Sequence, residues 1–139
     1  GGGTPATHAE EEAILSANFA AIGTAMENNA VSPAVRNDQF MAYVSPAFIN
    51  ANGTPGFDSL KSTTLSRLER YIMNVYKTTI YSSSKLDETH IDTSVTFEVN
   101  VTKRPGAVGN ASGTYTELYK TVQWVYSNGN WLILKGLPY

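Results

Sequence analysis

The segment that most constrains the fold is residues 113–136, GTYTELYKTVQWVYSNGNWLILKG, which predicts a long β-hairpin turning at Asn128 and Gly129. A two-residue type I′ turn needs positive φ at both central positions, and Asn followed by Gly adopts this most readily. The turn also sets the pairing register, so Trp124 should lie opposite Ile133. The sequence therefore predicts an antiparallel pair of strands at the end of the chain.

This register gives the hairpin two apolar faces. One face carries Val122, Trp124, Tyr126, Trp131 and Ile133. The other face carries Tyr119, Val125, Leu132 and Leu134. An antiparallel sheet with one wet face alternates more cleanly between apolar and polar residues, so both faces need cover. We expect helices over the Trp124 face and a second copy of the chain over the other, which predicts a homodimer interface at those four apolar residues.

Two helices open the predicted fold. The first should begin at a capping box over residues 7–10 and end near Asn28. Its apolar residues recur at helical spacing and form one stripe, Leu15, Phe19, Ile22 and Met26. The second helix should begin with Ser32 as N-cap and Pro33 as its first residue, and end near Val44.

A third helix is predicted after an irregular connection. Residues 45–56 are rich in turn-forming residues and predict no regular structure. The helix should follow from residue 57 or 58 to about Met73. Its pattern places Arg67 and Arg70 on the solvent face, beside Glu69.

The apolar period changes from about 3.6 to 2 at Val75, which predicts that the rest of the chain is sheet. A strand is expected over residues 75–83, and residues 91–102 alternate regularly between apolar and polar. Their apolar face carries Ile91, Thr93, Val95, Phe97, Val99 and Val101. In the hairpin, strict alternation assigns Glu117 to the face of Gln123, away from Trp124.

Length and composition exclude several classes of function. A chain of 139 residues predicts one domain, here residues 8–139, preceded by a flexible linker over residues 1–7. The absence of Cys excludes a disulfide framework and a thiol nucleophile. A net charge of -2 with scattered basic residues argues against nucleic-acid binding. The sequence has no run of about 20 apolar residues, so no transmembrane helix is predicted.

The N-terminus bears on location. Its Gly-rich opening, residues 1–5, is similar to the tether that follows the acylated Cys of bacterial lipoproteins. This predicts a periplasmic or other extracytoplasmic protein, lipid-anchored through a residue upstream of Gly1. The alternative is an expression remnant in front of a cytoplasmic domain.

The order of elements resembles the nuclear transport factor 2-like superfamily. Three helices precede an antiparallel sheet that closes with WVYSNGNWLILK, residues 124–135. The resemblance implies an α+β, cystatin-like cone with the helices packed on a strongly curved sheet of four or more strands. It also implies a pocket against the concave face and a homodimer through the outer face, as in ketosteroid isomerase-like and polyketide cyclase-like relatives.

No convergent acid–base pair is visible for an enzyme of this fold. Such an enzyme needs a carboxylate and a second acid or Tyr in an apolar pocket. Asp92 and Glu98 fall on a polar face, so no catalytic residue is predicted. An alternative catalytic set is Asp38 with Tyr43 or Tyr71.

Two lysines suggest ligand binding. Alternation places Lys120 and Lys135 on the Trp124 face, with Lys135 opposite Val122. Beneath aromatic walls they would favour a small anionic ligand, or the cavity would take an apolar one. The predicted aromatic binding residues are Tyr43, Tyr71, Trp124 and Tyr126. Alternatively, both lysines extend to water at the rim of the sheet.

No metal or cofactor is predicted. His8 and His90 have no partner at the spacing of a helical metal pair, and no Cys is present. The sequence thus favours a non-catalytic domain, exported and dimeric, that binds a small molecule or a protein. The alternatives are an isomerase or cyclase-type enzyme with an acid–base site in the pocket, and a purely structural dimerisation module.

Overall fold

The computed structural model describes residues 3–137 and shows three helices against one five-stranded sheet. The helices are α1 (Gly3–Glu27), α2 (Pro33–Met41) and α3 (Phe57–Arg70). The strands are β1 (Val44–Ile49), β2 (Tyr71–Asp87), β3 (His90–Lys103), β4 (Gly113–Ser127) and β5 (Asn130–Lys135). The strand order is β1-β5-β4-β3-β2, and every neighbouring pair is antiparallel except β1 with β5. This confirms the predicted α+β class.

The core lies between α1 and the concave face of the sheet. The whole predicted stripe of α1 is buried, from Leu15 to Met26. Phe19 meets Trp124 edge to face, with ring centroids 5.0 Å apart, and Trp124 is fully buried. The predicted dry face of β3 is buried at all six positions. Gly23 lets α1 approach β2 closely, because a Cβ there would lie 2.5 Å from the Tyr76 carbonyl oxygen.

A buried arginine closes the C-terminal end of α1. Arg36, which has no exposed surface, donates from Nη2 to the Met26 carbonyl and to Asn29 Oδ1 at 3.1 Å. The last carbonyls of a helix lack partners within the helix and carry partial negative charge, so a cation suits this position. Burial lowers the pKa of Arg36, with a smaller contribution from the charge of Arg104. Asn29 continues the connection by accepting from the Met73 backbone N–H at 3.0 Å.

The start of α1 differs from the prediction. The helix is already formed at Gly3, so Thr7 is not its N-cap, and the predicted linker over residues 1–7 is helical where it is described. Residues 1 and 2 of that linker lie outside the described part of the chain. This end of α1 is tied to β2, where Lys85 forms an ion pair with Glu11 at 2.9 Å.

The second helix begins as predicted but ends earlier. Ser32 is its N-cap and accepts from the Val35 N–H at 3.4 Å, followed by Pro33. The predicted irregular segment after it is wrong in its first part, where residues 44–49 form β1. Pro46 argued against a strand at this position, because Pro is tolerated mainly at sheet edges. In the structure β1 is an edge strand, so Pro46 is compatible with it.

The third helix is shorter than predicted. It ends at Arg70, and the chain enters β2 directly at Tyr71. Ile72 and Met73 satisfy a helical and a strand pattern equally, so the apolar period alone could not place this boundary. The sheet resolves it, because Met73 pairs with Val101 of β3.

The terminal hairpin turns where predicted. Asn128 and Gly129 have φ of 51° and 84°, and Trp124 pairs with Ile133. Further from the turn the prediction is wrong, because Lys135 pairs with Gln123 rather than with Val122. One extra residue in β5, Leu134, causes the shift.

A second β-bulge interrupts β4. Lys120 pairs with Val95 and Glu117 pairs with Phe97, so β4 uses one residue more than β3 over this interval. Tyr119 has a positive φ of 56° at this point. A bulge breaks strict alternation. The predicted outward orientation of Glu117 is therefore wrong, since it lies opposite Phe97 on the concave face.

The outer face of the sheet is open in a single chain. Tyr119 is 61% exposed and meets Tyr81 edge to face at 5.0 Å. The other predicted interface residues, Val125, Leu132 and Leu134, are half-buried. Among residues 3–137, no helix has both the length and the apolar content needed to span a membrane.

Candidate functional site

A cavity of about 510 Å³ lies between α3 and the concave face of the sheet. Its volume falls within the range of small-molecule sites. The lining comes from α1, α3, the first part of β2, the centre of β3, the first part of β4 and the β3–β4 loop. The lining residues are Met26, Thr64, Arg67, Arg70, Tyr71, Met73, Tyr76, Phe97, Val99, Val101, Gly109, Asn110, Tyr115, Thr116 and Glu117.

The floor of the cavity is apolar with phenolic edges. Val99 pairs with Tyr76 on one side and with Tyr115 on the other, so two tyrosines flank one valine across three strands. Tyr76 also meets Phe97 edge to face at 5.0 Å. Burial raises the pKa of the Tyr76 hydroxyl far above its ordinary value, so the phenol stays neutral at physiological pH.

One wall of the cavity is cationic. Arg67 and Arg70 lie one helical turn apart on α3 and both line the cavity. Arg67 is near enough to Tyr76 to act on its pKa in the direction opposite to burial. The Arg70 guanidinium lies over the Tyr71 ring, 5.4 Å from its centroid. These arginines can bind an anion bidentately.

A carboxylate enters the cavity from β4. Glu117 lines the cavity, and its Oε2 is 3.3 Å from Lys120 Nζ. The bulge between these residues puts both on the concave side although they are three positions apart. Both side chains are partly exposed, at 40% and 48%, so the pair contributes little to stability. The Glu117 carboxylate therefore forms part of the cavity wall beside a cation.

The β3–β4 loop, residues 104–112, covers one end of the cavity. Tyr71 donates from its hydroxyl to the Asn110 carbonyl at 2.8 Å, and Arg70 donates from Nη1 to the Val108 carbonyl at 3.1 Å. Gly109 lies against both side chains with a φ of +129°. The loop backbone therefore forms part of the lining.

Comparison with solved structures agrees with this architecture. A conserved protein from Planctomyces limnophilus is similar with a TM-score of 0.68 and 13% identity, covering 91% of this chain and 92% of that one. A nuclear transport factor 2-like superfamily protein from Salmonella enterica is similar with a TM-score of 0.57 and 12% identity, covering 94% and 89%. The chain has the nuclear transport factor 2-like fold.

A further similar structure is a candidate calcium/calmodulin dependent protein kinase II association domain from Xanthomonas campestris. Its TM-score is 0.54 at 15% identity, and the match covers 93% of this chain and 86% of that one. No protein-family model and no curated protein matches the sequence. At these identities the similarity establishes the nuclear transport factor 2-like fold and nothing finer.

Of the predicted ligand-binding residues, only Tyr71 lines the cavity of this nuclear transport factor 2-like domain. Trp124 lies in the core, and Tyr126 packs on Trp131 at 5.2 Å. Lys120 reaches the cavity indirectly, through Glu117. Lys135 is exposed and shares a face with Gln123, so the two lysines do not converge.

The alternative catalytic set is not assembled at the cavity. Asp38 is exposed on α2, and Tyr43 packs against the edge of the core after that helix. Neither residue lines the cavity, while Tyr71 does. Within residues 3–137, no three His, Asp or Glu side chains are grouped as metal ligands would be.

The sequence reading missed the two arginines and the glutamate. Arg67 and Arg70 were assigned to solvent because the helical pattern shows only one apolar stripe. The structure shows otherwise: Thr64, three residues before Arg67, is buried, so the adjacent side of α3 is partly buried. Glu117 could not be found by alternation, because a bulge leaves no mark in the apolar pattern.

Proposed function

We propose that the domain binds a small organic anion, such as an aromatic or aliphatic carboxylic acid, without transforming it. The observation that carries this proposal is the pairing of a cationic wall, Arg67 and Arg70, with the apolar floor around Val99. A carboxylate at the arginines would leave the apolar body of the ligand over Val99 and Phe97. Desolvated charge-assisted hydrogen bonds would provide specificity for the acid.

The test uses benzoate as the acid probe and benzamide as its neutral counterpart. We expect benzoate to shift NMR signals of Val99 and Val101, and Arg67→Met to weaken its binding roughly 10- to 150-fold. That range corresponds to losing one hydrogen bond to a charged group, about 1.5–3 kcal/mol. Lys61→Met is the matched control, because Lys61 is exposed on the same helix and does not line the cavity. Equal binding of benzamide, or unchanged binding by Arg67→Met, would contradict the proposal.

A second candidate function is acid–base catalysis of the isomerase or cyclase type. The observation that favours it is Glu117, a carboxylate that lines the same cavity as three tyrosines. A general base there could remove a proton next to a carbonyl while a tyrosine hydroxyl supports the developing oxyanion. Phenylpyruvate in deuterated buffer tests this reaction. Deuterium exchange at its methylene above the buffer rate, lost in Glu117→Gln, would support catalysis, whereas the buffer rate would leave the binding function.

Dimerisation remains part of the proposal. The supporting observation is the apolar outer surface formed by Tyr119, Val125, Leu132 and Leu134, of which Tyr119 is mostly exposed. One similar structure is named as an association domain, which suggests a protein partner or self-assembly for this chain too. Sedimentation equilibrium measures the oligomeric state. A monomer mass at a protein concentration of about 100 µM would reject the dimer.

An extracytoplasmic location also stays a prediction, supported by the low charged fraction of 16%.

A further inference from the structure

We propose that the β3–β4 loop, residues 104–112, is a lid that Arg70 and Tyr71 latch over the cavity and that a carboxylate releases. In the closed state these two side chains donate to loop carbonyls. A carboxylate would take over both donors and free the loop. The identity of the releasing ligand rests on the proposed function, whereas the latch itself does not.

Side chains hold the tip of the lid. Arg70 reaches the Val108 carbonyl, Tyr71 reaches the Asn110 carbonyl, and Tyr115 donates to the Ala111 carbonyl at 2.5 Å. Among the described residues, the backbone–backbone hydrogen bonds of residues 105–111 stay within the loop, where the Ala107 N–H donates to the Arg104 carbonyl. The tip can therefore leave the cavity without breaking sheet pairing.

The two roots of the lid are fixed more firmly. The Arg104 N–H donates to the Arg70 carbonyl at 2.9 Å, and the Lys103 N–H donates to Ser112 Oγ at 2.8 Å. Between them, Gly106 has a φ of +78° after Pro105, which is the arrangement of a type II turn. The loop is thus a short strap with anchored ends and a side-chain latch at its centre.

Apolar burial does little to keep the lid closed. Val108, at the tip, is 76% exposed, so hydrophobic burial of its side chain contributes little. Gly109 is the point of closest contact, since a Cβ there would collide with the Tyr71 hydroxyl and lie 2.5 Å from Arg70 Nη1. The tip is therefore held mainly by the hydrogen bonds of Arg70, Tyr71 and Tyr115, with a longer one of 3.5 Å from Lys103 Nζ to the Gly109 carbonyl.

The latch donors are also ligand-binding groups. Arg70 and Tyr71 both line the cavity and lie in contact with each other. Each now donates to a neutral carbonyl. The neutral Tyr71 hydroxyl would gain a charge-assisted bond, roughly twice as strong as its present one, and Arg70 would exchange a single bond to a neutral carbonyl for a bidentate ion pair. A carboxylic acid that enters would compete favourably for both donors, whereas a neutral amide would offer no such gain.

The test follows the lid with a trifluoromethyl label on Val108→Cys, since this side chain is exposed and the protein has no other Cys. The ¹⁹F spectrum of the labelled protein should show a closed state. Tyr71→Phe and Gly109→Ala should each raise the open fraction at least about fivefold, because one removes a latch donor and the other obstructs the seat. Gly106→Ala is the control for a positive-φ glycine in the same loop: its φ is +78°, against +129° for Gly109, and no atom lies within 4 Å of the added Cβ.

Adding benzoate to the labelled wild-type protein should raise the open fraction, and benzamide should not. An open fraction that is unchanged in Tyr71→Phe and Gly109→Ala overturns the lid. Benzoate that binds but leaves the lid closed overturns the release mechanism. If benzoate does not bind, the proposed function fails, and the latch is then judged on the two variants alone.

Discussion

Replacing Gly23 with Ala sets two known effects against each other at the place where α1 meets the cavity-lining strand. Alanine in a helix interior is favoured over glycine by about 1 kcal/mol. Against this, the new Cβ would lie 2.5 Å from the Tyr76 carbonyl oxygen, whereas ordinary contact begins at 3.4 Å. The helix or the strand must then move by about 0.9 Å, which is the difference between those two distances.

The steric effect should win. The neighbouring atom is backbone in a strand paired with β3, and the helix is fixed at its end by Arg36, so neither side yields cheaply. Overpacking of this kind costs about 1–3 kcal/mol, and an obstructing backbone atom favours the upper end. We expect a net loss of about 2 kcal/mol in the free energy of unfolding, or a fall in Tm of about 8 °C for a chain of this size.

Urea unfolding followed by circular dichroism measures the change. Ala20→Gly is the control, because Ala20 is exposed on the same helix. This variant measures the difference in helix propensity alone and should be destabilised by about 1 kcal/mol. If Gly23→Ala is instead as stable as the wild type or more so, α1 does not approach β2 as closely as described, and the reasoning fails.

Two further predictions concern the sheet. Gly136→Ala should destabilise the protein by about 3–5 kcal/mol, because the added Cβ would collide with the Thr121 carbonyl of β4 and would lie 3.1 Å from Val122 Cα. Gly129→Ala is the control, since Gly129 has a similar φ and no atom nearby, and it should cost only about 1 kcal/mol. Equal losses of stability in thermal melts of the two variants would refute the collision. The hydrogen bond from His90 lowers the pKa of Asp87 below its ordinary value of 3.8. The Asp87 carboxylate therefore stabilises the fold above pH 3.8, and this stabilisation is lost as the pH falls through the pKa of the folded state. Asp87→Asn should therefore show a flatter loss of stability in acid melts than the wild type, and parallel curves would contradict the assignment.

The parts of the fold that the sequence predicted are those with unbroken periodicity. In β3 the alternation has no interruption, and every residue assigned to its dry face is buried. The Asn128-Gly129 turn was equally readable, because its backbone conformation follows from two residues alone. The α1 stripe was read correctly because tertiary packing and local pattern agree there.

The errors of face assignment within the sheet share one physical cause, an extra residue in a strand. Strands β2, β4 and β5 each pair with a neighbour through a bulge, and each bulge changes which residues face the core. Glu117 and Lys135 were assigned to the wrong faces for this reason. Since a bulge is set by the geometry of the whole sheet, neither composition nor local spacing indicates where it falls.

The candidate site was less predictable than the fold. Its cations lie on a helix whose pattern assigned them to water, and its carboxylate lies beyond a bulge. Of the predicted site residues, only Tyr71 lines the cavity, and its contact with Asn110 follows from no pattern in the sequence. The site is formed where several elements meet in space. The residue pattern within one strand or helix does not indicate which other elements it will contact.

The bulges also set how deep the cone is. The extra residues Asn74, Tyr81 and Leu86 in β2 are all exposed, as is the Leu118–Tyr119 pair in β4. Each adds a residue to β2 or β4 relative to β3, and an extra residue of this kind bends its strand and increases the local twist. Inserting or deleting one residue at a bulge would therefore change the local bend of the sheet, and it would also turn the residues beyond the bulge to the opposite face, so that a different set of side chains would line the cavity.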